Sequence, residues 1–417
     1  MTAGTTHRIR RRLSYTFALV GAWTIGFAGL APAAVAEDVR AKQWYLNAMH
    51  AEDIWKKETG EGIKVAVIDS GVNSSTPSLK GQVLKGFDAT ETDGKTDDYV
   101  GHGTTMAELI AGTGRSGGLQ GLAPGAKIIP IRIRLEGAPF PEKNVWDEAD
   151  AIRAAADSDA QIINMSYGGI GLTSRLEKAV KYAHSKGKLM FAAVGNSGDE
   201  ENMREYPGAF PEVVGVAATN SEGTVGDFSQ HGDFVDIAAP GLDIPGWCDA
   251  TFTRYCDGKQ GTSHATAIAS ATAALIWSAH PNWTANQVLR VMFESAARGD
   301  DWKPGTVSNY LGYGIVRPNA HITRGLGKPG DPNVSPLPDM AGASGASPSA
   351  SASPGSSAPA SSQAPAGDPS PDTAVAGSSS ASADDGGGLP VWAFGAIAAA
   401  VVIGGGTIAV VRKRRRA

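Results

Sequence analysis

The stretch that decides the fold is IKVAVIDSG, residues 63–71. Residues 63–68 form an apolar, β-rich run without the regular polar alternation of a strand that has one face in water. Continuous apolar strands are typical of parallel sheets that are covered on both faces. The run ends in Asp69-Ser70-Gly71, so a carboxylate is expected where a buried strand gives way to a turn.

Four more runs of this kind occur further along the chain, and segments with helical patterns lie between them. Strands that alternate with helices predict an α/β fold with a doubly wound, mostly parallel sheet. In such sheets the functional side chains gather at the carboxyl ends of the strands. The further strand runs are residues 127–133, 161–165, 189–194 and 213–217, and the helical segments are residues 147–156, 174–185, 262–280 and 284–296.

Three other glycine-containing motifs carry side chains that are suited to catalysis. They are Gly101-His102-Gly103-Thr104, Gly195-Asn196 at the end of a strand run, and Gly261-Thr262-Ser263 at the start of an Ala-rich helix. Taken singly, each is ordinary, because Asp and Asn beside Gly are turn residues and Ser before a helix is a common N-cap. Taken in order with Asp69, they supply a carboxylate and an imidazole that can activate a nucleophile, and a hydroxyl that can be that nucleophile.

These motifs resemble the signature blocks of the subtilisin-like serine proteases, and the order Asp, His, Ser is that of subtilisin. The resemblance covers about residues 43–322. It implies a serine endopeptidase that needs no cofactor and acts on extended polypeptides. Ser263 is then the nucleophile, His102 its general base, and Asp69 the group that orients the imidazole. The Asn196 side-chain amide is the expected donor to the oxyanion.

The same resemblance implies where a substrate lies. Ser166-Tyr167-Gly168 would pair with an extended peptide as an added strand. Ala192, Ala193 and Val194 would form the other wall of the primary specificity pocket. Acidic residues 199–201 follow the oxyanion motif, and they either favour a basic substrate side chain or lie in a solvated loop. Clusters of charge ordinarily lie in water, which favours the loop.

Composition narrows the remaining choices. The chain of 417 residues has a formal net charge of −5 and no internal basic stripe, so nucleic acid is not an expected partner. Two cysteines are too few for a Cys-type zinc site, and no acidic loop has the spacing of a calcium site, so no metal is predicted. Outside the cell, Cys248 and Cys256 are expected to form a disulfide that closes the loop before the serine motif.

The two ends of the chain predict its location. Residues 1–36 combine a basic start, an apolar run and an Ala-x-Ala site, which indicates a signal peptide, with an uncleaved anchor as the alternative. Residues 37–324 are the expected peptidase domain. Residues 325–388 are rich in Ser, Ala, Pro and Gly and predict a disordered linker. Residues 389–411 carry no charge and predict a transmembrane helix, and the basic residues 412–417 predict a cytoplasmic tail.

This layout resembles that of the mycosins, membrane-anchored subtilisin-like proteases associated with type VII secretion in actinobacteria. The resemblance implies a single-pass protein of the cell membrane whose peptidase domain is extracellular. It also implies processing of secreted proteins, with a type VII secretion complex as a partner. Two alternatives stay open, namely a general degradative protease of the cell envelope and a catalytically idle structural component of a secretion complex.

Overall fold

The central element of the structure is a parallel sheet. The computed structural model describes residues 39–136, 139, 147–299, 302–303 and 305–337, together with the backbone of residues 350–351. The strands of the sheet are β1 (Lys64–Asp69), β2 (Phe87–Asp88), β3 (Lys127–Arg132), β4 (Ile162–Met165), β5 (Leu189–Ala193), β6 (Val214–Thr219) and β7 (Ile237–Pro240). They stand in the order β2-β3-β1-β4-β5-β6-β7, and neighbouring strands are parallel.

Alternate residues of each strand point into different hydrophobic cores. On β1, Val65 and Val67 belong to one cluster, whereas Ala66 and Ile68 belong to the other. All four side chains are fully buried. Both faces of the strand therefore contact apolar groups, which is the reason for its uninterrupted apolar sequence. Burying a side chain such as Val or Ile stabilises the fold by about 1.5–3 kcal/mol. The predicted α/β class with a mostly parallel sheet is confirmed.

Helices cover the two faces of the sheet. In chain order the α-helices are α1 (Trp44–Ala48), α2 (Ala51–Trp55), α3 (His102–Ala111), α4 (Asp147–Asp157), α5 (Ser174–Ser185), α6 (Thr262–Ala279), α7 (Ala285–Ser295) and α8 (Pro318–Ile322). Helices α3, α6 and α7 contribute to one core, and α4 and α5 contribute to the other. The four helical segments predicted from the sequence match α4 to α7 within two residues at each end.

Capping side chains mark where two of these helices begin. The Thr173 hydroxyl accepts a hydrogen bond from the backbone N–H of Leu176 at the start of α5. Thr284 and Gln287 form a capping box at the start of α7. Such caps satisfy N–H groups that have no partner inside the helix.

Helix α6 is buried along almost its whole length. Every residue from Thr262 to Trp277 is buried, and the helix packs against β4, β5, β6 and β7. Its side chains are mostly Ala, Ser and Thr, which let the helix axis lie close to the sheet. A polar chain inside the core adds to this contact, since Ser270 donates to the Asn164 side chain of β4 and Asn164 donates to the Ser166 hydroxyl.

A hairpin and a short strand pair lie outside the main sheet. Strands β8 (Ile244–Trp247) and β9 (Tyr255–Lys259) are antiparallel. A disulfide joins Cys248 to Cys256 across the hairpin. Strands β10 (Val307–Ser308) and β11 (Ala350–Ser351) form a parallel pair.

Residues 325–337 pack against the body, although their composition placed them in the linker. The carbonyl oxygen of Pro332 accepts hydrogen bonds from Thr284 and Asn286, and that of Val334 accepts one from Arg290. Leu337 is only 5% exposed. The expected linker boundary at residue 325 is therefore too early. Composition gave no sign of this, because the contacts use backbone carbonyls that any sequence provides.

Several sequence predictions lie outside the described residues. They are the signal peptide (1–36), most of the linker (338–388), the transmembrane segment (389–411) and the basic tail (412–417). Over the part of the chain that the structure does describe, no helix combines the length and the apolar character needed to cross a bilayer.

Candidate active site

Asp69 lies at the carboxyl end of β1, as its motif predicted. Its side chain is fully buried. Oδ1 accepts a hydrogen bond from the backbone N–H of Ser70 at 2.8 Å, and the Ser70 hydroxyl, which donates to Asp98 at 2.8 Å, lies 3.2 Å from the same oxygen. The same oxygen lies 2.8 Å from Nδ1 of His102. These contacts hold the buried carboxylate in a defined orientation through Oδ1.

His102 is the first residue of α3, and its imidazole is 29% exposed. The 2.8 Å contact fixes the ring, so that Nδ1–H donates to Asp69 and Nε2 carries the lone pair that can accept a proton. Burial lowers the pKa of His102, but the Asp69 charge and hydrogen bond, with a further contribution from Asp98, outweigh burial and raise the pKa above its ordinary value. His102 is therefore a stronger base than a free imidazole.

The absence of a side chain at Gly103 permits this contact. A Cβ on Gly103 would lie 2.1 Å from the Gly71 carbonyl oxygen and 2.9 Å from the Asp69 Cβ. The start of α3 therefore packs directly on the turn that follows β1. Any larger residue would push His102 away from Asp69.

Asp98 is a functional candidate that the sequence analysis missed. Its buried carboxylate lies at the N-terminus of α3 and accepts five hydrogen bonds. The donors are the hydroxyls of Ser70 and Thr104 and the backbone N–H groups of Val100, Gly101 and Thr104. An anion at this end of a helix is also favoured by the helix dipole. Asp98 thus ties the His102 loop to the Asp69 turn. An Asp four residues before His102 was the available signal.

Ser263 lies in the first turn of α6 and is 9% exposed. Its hydroxyl donates to the carbonyl oxygen of Ser166 at 2.9 Å, and the Ser166 hydroxyl donates to the carbonyl oxygen of Ser263 at 3.0 Å. This reciprocal pair fastens the start of α6 to the segment that follows β4. The structure thus shows the Ser263 hydroxyl on Ser166, and a rotation about the Cα–Cβ bond is needed to turn it toward His102.

Asn196 follows β5 and is exposed. Its Oδ1 accepts from the backbone N–H of Thr262 at 2.9 Å and from the Thr262 hydroxyl at 3.0 Å. These bonds hold the amide beside the N-terminus of α6 and leave Nδ2 as the group that can donate to a ligand. A donor in this position suits negative charge that develops next to Ser263.

These groups meet at one cavity of about 450 Å³. His102, Asn196 and Ser263 line it, together with Trp247, Lys259 and His264. His264 is buried, and its ring lies edge-on to that of His102 with 6.4 Å between the centroids. Burial, His102 and Lys259 lower the pKa of His264 to about 3, so this imidazole is neutral near pH 7.

The proposed substrate walls lie on neighbouring strand ends, because Met165 of β4 pairs with Ala192 of β5. On the first wall Gly168 is exposed, whereas Ser166 and Tyr167 are buried. On the second wall, the side chains of Ala192, Ala193 and Val194 are buried in the cores. A peptide would therefore meet the backbone of this second wall. Acidic residues 199–201 lie in an exposed turn, as the solvated-loop interpretation predicted.

The hairpin of β8 and β9 contributes Trp247 and Lys259 to the lining of the cavity and is anchored to α3. The Trp247 ring stacks on Tyr255 with 3.8 Å between centroids, and the Tyr255 hydroxyl donates to the Glu108 carboxylate at 2.8 Å. Glu108 also accepts from Thr76. Burial raises the pKa of Glu108 to about 7, against a smaller lowering by these hydrogen bonds. The contacts of Glu108 could not be read from local sequence patterns, because its partners Thr76 and Tyr255 are 32 and 147 positions away in the chain.

A metal would require several converging ligands. Within the described ranges no group of three or more His, Cys, Asp or Glu side chains could hold a metal ion. The groups that the cavity does present are an imidazole in contact with a carboxylate, a hydroxyl and an amide.

Comparison with known proteins identifies a family and relatives of this chain. The sequence model of the subtilase family matches residues 60–314. Thermitase of Thermoactinomyces vulgaris is 32% identical over 277 residues, which cover 65% of this chain and 95% of thermitase. Subtilisin E of Bacillus subtilis (strain 168) is 36% identical over 245 residues, which cover 57% of this chain and 61% of subtilisin E.

Solved structures give the same fold. The serine protease MycP1, an essential component of the type VII (ESX-1) secretion system, aligns with a TM-score of 0.60 and 27% identity over 69% of this chain and 90% of MycP1. MycP3 protease from the type VII (ESX-3) secretion system aligns with a TM-score of 0.56 and 28% identity over 70% of this chain and 90% of MycP3.

Proposed function

This chain belongs to the subtilase family and is a serine endopeptidase, and we propose that Asp69, His102 and Ser263 are its catalytic triad, with Asn196 as oxyanion donor. The observation that carries the assignment is the 2.8 Å contact between Asp69 and His102 at the cavity that Ser263 and Asn196 also line. Asp69 and His102 are 33 positions apart in the chain, and His102 and Ser263 are 161 positions apart. Their proximity in the fold supports a shared role.

The proposed reaction follows from the chemistry of these groups. The Ser263 hydroxyl turns from Ser166 toward His102 and attacks the peptide carbonyl carbon, while His102 Nε2 takes its proton. The Asp69 anion stabilises the imidazolium that forms. His102 then gives the proton to the departing amine as the C–N bond breaks. Water, activated in the same way, attacks the acyl ester and regenerates the Ser263 hydroxyl.

Asn196 acts where negative charge develops. As Ser263 attacks, the carbonyl oxygen of the substrate becomes an oxyanion, and the Asn196 amide with the Ser263 backbone N–H would donate to it. The N-terminus of α6 adds a positive dipole end on the same side. Because the Asn196 oxygen is held by Thr262, its NH₂ group needs no reorganisation when the charge appears.

We also propose that the peptidase is exported, anchored by residues 389–411 and active in type VII secretion, where it processes secreted proteins. Support comes from the uncharged, 23-residue stretch near the C-terminus, from the basic residues after it, and from the likeness to MycP1. The specificity implied is limited cleavage rather than digestion. A broad envelope protease differs by cutting many unrelated peptides in a library.

One labelling experiment tests catalysis and location together. A fluorophosphonate probe is added to cells that express the full chain, the Ser263→Ala variant or a chain truncated after residue 388. We expect a labelled band in the membrane fraction for the full chain and none for Ser263→Ala, because the probe reacts with an activated serine. The truncated chain is expected to be labelled in the medium.

Each result has a distinct opposite. If the full chain resists the probe as completely as Ser263→Ala, the active-peptidase proposal fails and the idle structural component is favoured. If the truncated chain is labelled but stays in the membrane fraction, the anchor is the N-terminal segment instead. Both variants are first compared with the full chain by protease resistance, which confirms that they are folded.

A further inference from the structure

A partly buried carboxylate stands between the two proposed substrate walls. Glu205 belongs to the segment between β5 and β6. A Cβ on Gly168 of the first wall would lie 2.5 Å from Glu205 Oε2, and a Cβ on Gly195 beside the second wall would lie 2.8 Å from Glu205 Cδ. The carboxylate therefore occupies the slot that is left where both walls lack a side chain.

The slot starts at the nucleophile. Ser166, whose carbonyl oxygen is 2.9 Å from the Ser263 hydroxyl, lies two residues before Gly168. Gly195 directly precedes the oxyanion donor Asn196. A substrate carbonyl placed between Ser263 and Asn196 would thus direct the side chain on the acyl side of the scissile bond between Gly168 and Gly195. At the end of that slot it meets Glu205.

The neighbours of Glu205 hold it there. The backbones of Gly169 and Tyr206 exchange two hydrogen bonds of 3.0 and 2.8 Å, which fasten the segment that carries Glu205 to the first wall. Glu205 Oε1 accepts from the buried Gln230 amide at 3.2 Å. With Oε1 engaged behind Gly195, Oε2 is left toward Gly168 and the slot.

The charge of Glu205 has no cationic partner among the described residues. The adjacent Arg204 forms its ion pair with Asp233 and lies over the Phe234 ring, 5.4 Å from the centroid. Burial raises the pKa of Glu205 above its ordinary value, and the Gln230 hydrogen bond lowers it only in part. A desolvated carboxylate of this kind gains most from a cation that enters the slot.

We propose that Glu205 is the acidic floor of the primary specificity pocket and selects lysine or arginine on the acyl side of the scissile bond. This inference rests on the proposed catalytic function and adds a substrate class to it. Acidic residues 199–201, which were weighed for the same task from the sequence, lie in an exposed turn instead. Glu205 itself was missed, because it lies ten positions after Gly195 and 37 positions after Gly168 in the chain.

The test uses the full chain in detergent and a series of internally quenched peptides that differ only in the acyl-side residue. Arg and Lys peptides are expected to show a kcat/KM about 10- to 100-fold above that of the Ala peptide, the range for a hydrogen-bonded charge pair. Glu205→Gln is expected to remove this advantage, so that the ratio of kcat/KM for the Arg peptide to kcat/KM for the Ala peptide falls to about one. Glu200→Gln, which neutralises a nearby exposed acid, leaves the whole profile unchanged.

A second measurement needs no variant. Benzamidine, a small planar cation, is expected to inhibit the unaltered chain competitively, whereas neutral benzamide does not. If the chain prefers Ala, then Glu205 fills the slot and restricts it to small side chains, and the proposal is overturned. Equal cleavage of all peptides, or no inhibition by benzamidine, overturns it as well.

Failure of this inference is distinguishable from failure of the catalytic proposal. Fluorophosphonate labelling of Ser263 does not depend on an acyl-side side chain. A chain that is labelled but ignores basic residues retains the catalytic assignment and loses the role of Glu205. A chain that is not labelled loses both.

Discussion

His102 and Asn196 both line the cavity, but the structure holds their side chains in different ways. His102 is fixed by the buried carboxylates of Asp69 and Asp98, which together accept hydrogen bonds from two loops and a helix N-terminus. Asn196, by contrast, is exposed, and among the described residues its side chain is held by two hydrogen bonds from Thr262. A group that moves a proton needs a controlled electrostatic environment, because its pKa sets its reactivity. A group that only donates a hydrogen bond needs a position.

The largest effect is expected when the carboxylate of Asp69, beside His102, is replaced by an amide. Asp69→Asn should lower kcat by about 10⁴-fold, because the imidazole loses the partner that fixes its tautomer and stabilises its charged form. Since Asp69 raises the pKa of His102, the variant should also need less alkaline conditions to keep His102 neutral.

The measurement is kcat/KM against pH for both proteins. In the unaltered chain, activity falls as the pH drops through the raised pKa of His102, and in Asp69→Asn this acidic limb should move to lower pH. An acidic limb that stays in place would show that another group controls it. Near-identical circular dichroism spectra serve as the folding control.

A smaller effect on kcat is expected for substitutions of Asn196. Asn196→Ala should lower kcat by about 10²–10³-fold with little change in KM, because its donor bonds the transition state more strongly than the substrate. Asn196→Asp is the matched control, since it keeps an oxygen for Thr262 but lacks the NH₂ donor. Both variants should lose kcat. If Asn196→Asp works as well as the unaltered enzyme, the contact with Thr262 matters and the oxyanion role is wrong.

The smallest effect is expected for Glu108, which lies on the same helix as His102, and it concerns the free energy of unfolding. Glu108 has a folded-state pKa of about 7, above its ordinary 4.5, so the folded state prefers the neutral acid. Stability is therefore present in full below about pH 4.5 and lost progressively up to about pH 7, by about 3 kcal/mol in all. Glu108→Gln lacks this loss. Its free energy of unfolding should match that of the unaltered chain near pH 5 and exceed it near pH 8. A constant difference across this range would contradict the assignment.

Five of the seven strands of the main sheet and the catalytic candidates were predictable for a common physical reason. Buried parallel strands require continuous apolar runs, and turns at their ends require glycine, so β1 with Asp69 and β5 with Asn196 are marked in the sequence. Strand β2, with two residues, is too short to produce such a pattern.

The missed residues act through contacts that no local pattern records. Asp98 and Glu205 are acidic residues in loops, and nothing beside them in the chain separates them from solvated charges. What distinguishes them is the partner reached in space, backbone N–H groups of α3 for Asp98 and the gap between Gly168 and Gly195 for Glu205. The contacts of residues 325–337 were missed in the same way, since these residues bind the N-cap residue and the middle of α7 through their carbonyl oxygens.

The burial of α6 has a consequence for how this enzyme is inactivated. Ser263 sits on an element that contacts four strands of the sheet, so its backbone amides should exchange with solvent only when the whole domain opens. Unfolding by heat or denaturant should then have no intermediate in which the sheet is intact and Ser263 is displaced. If Ser263 is the nucleophile, as proposed, its displacement and the loss of the native state become a single event, and the half-life of activity at high temperature should equal that of global unfolding.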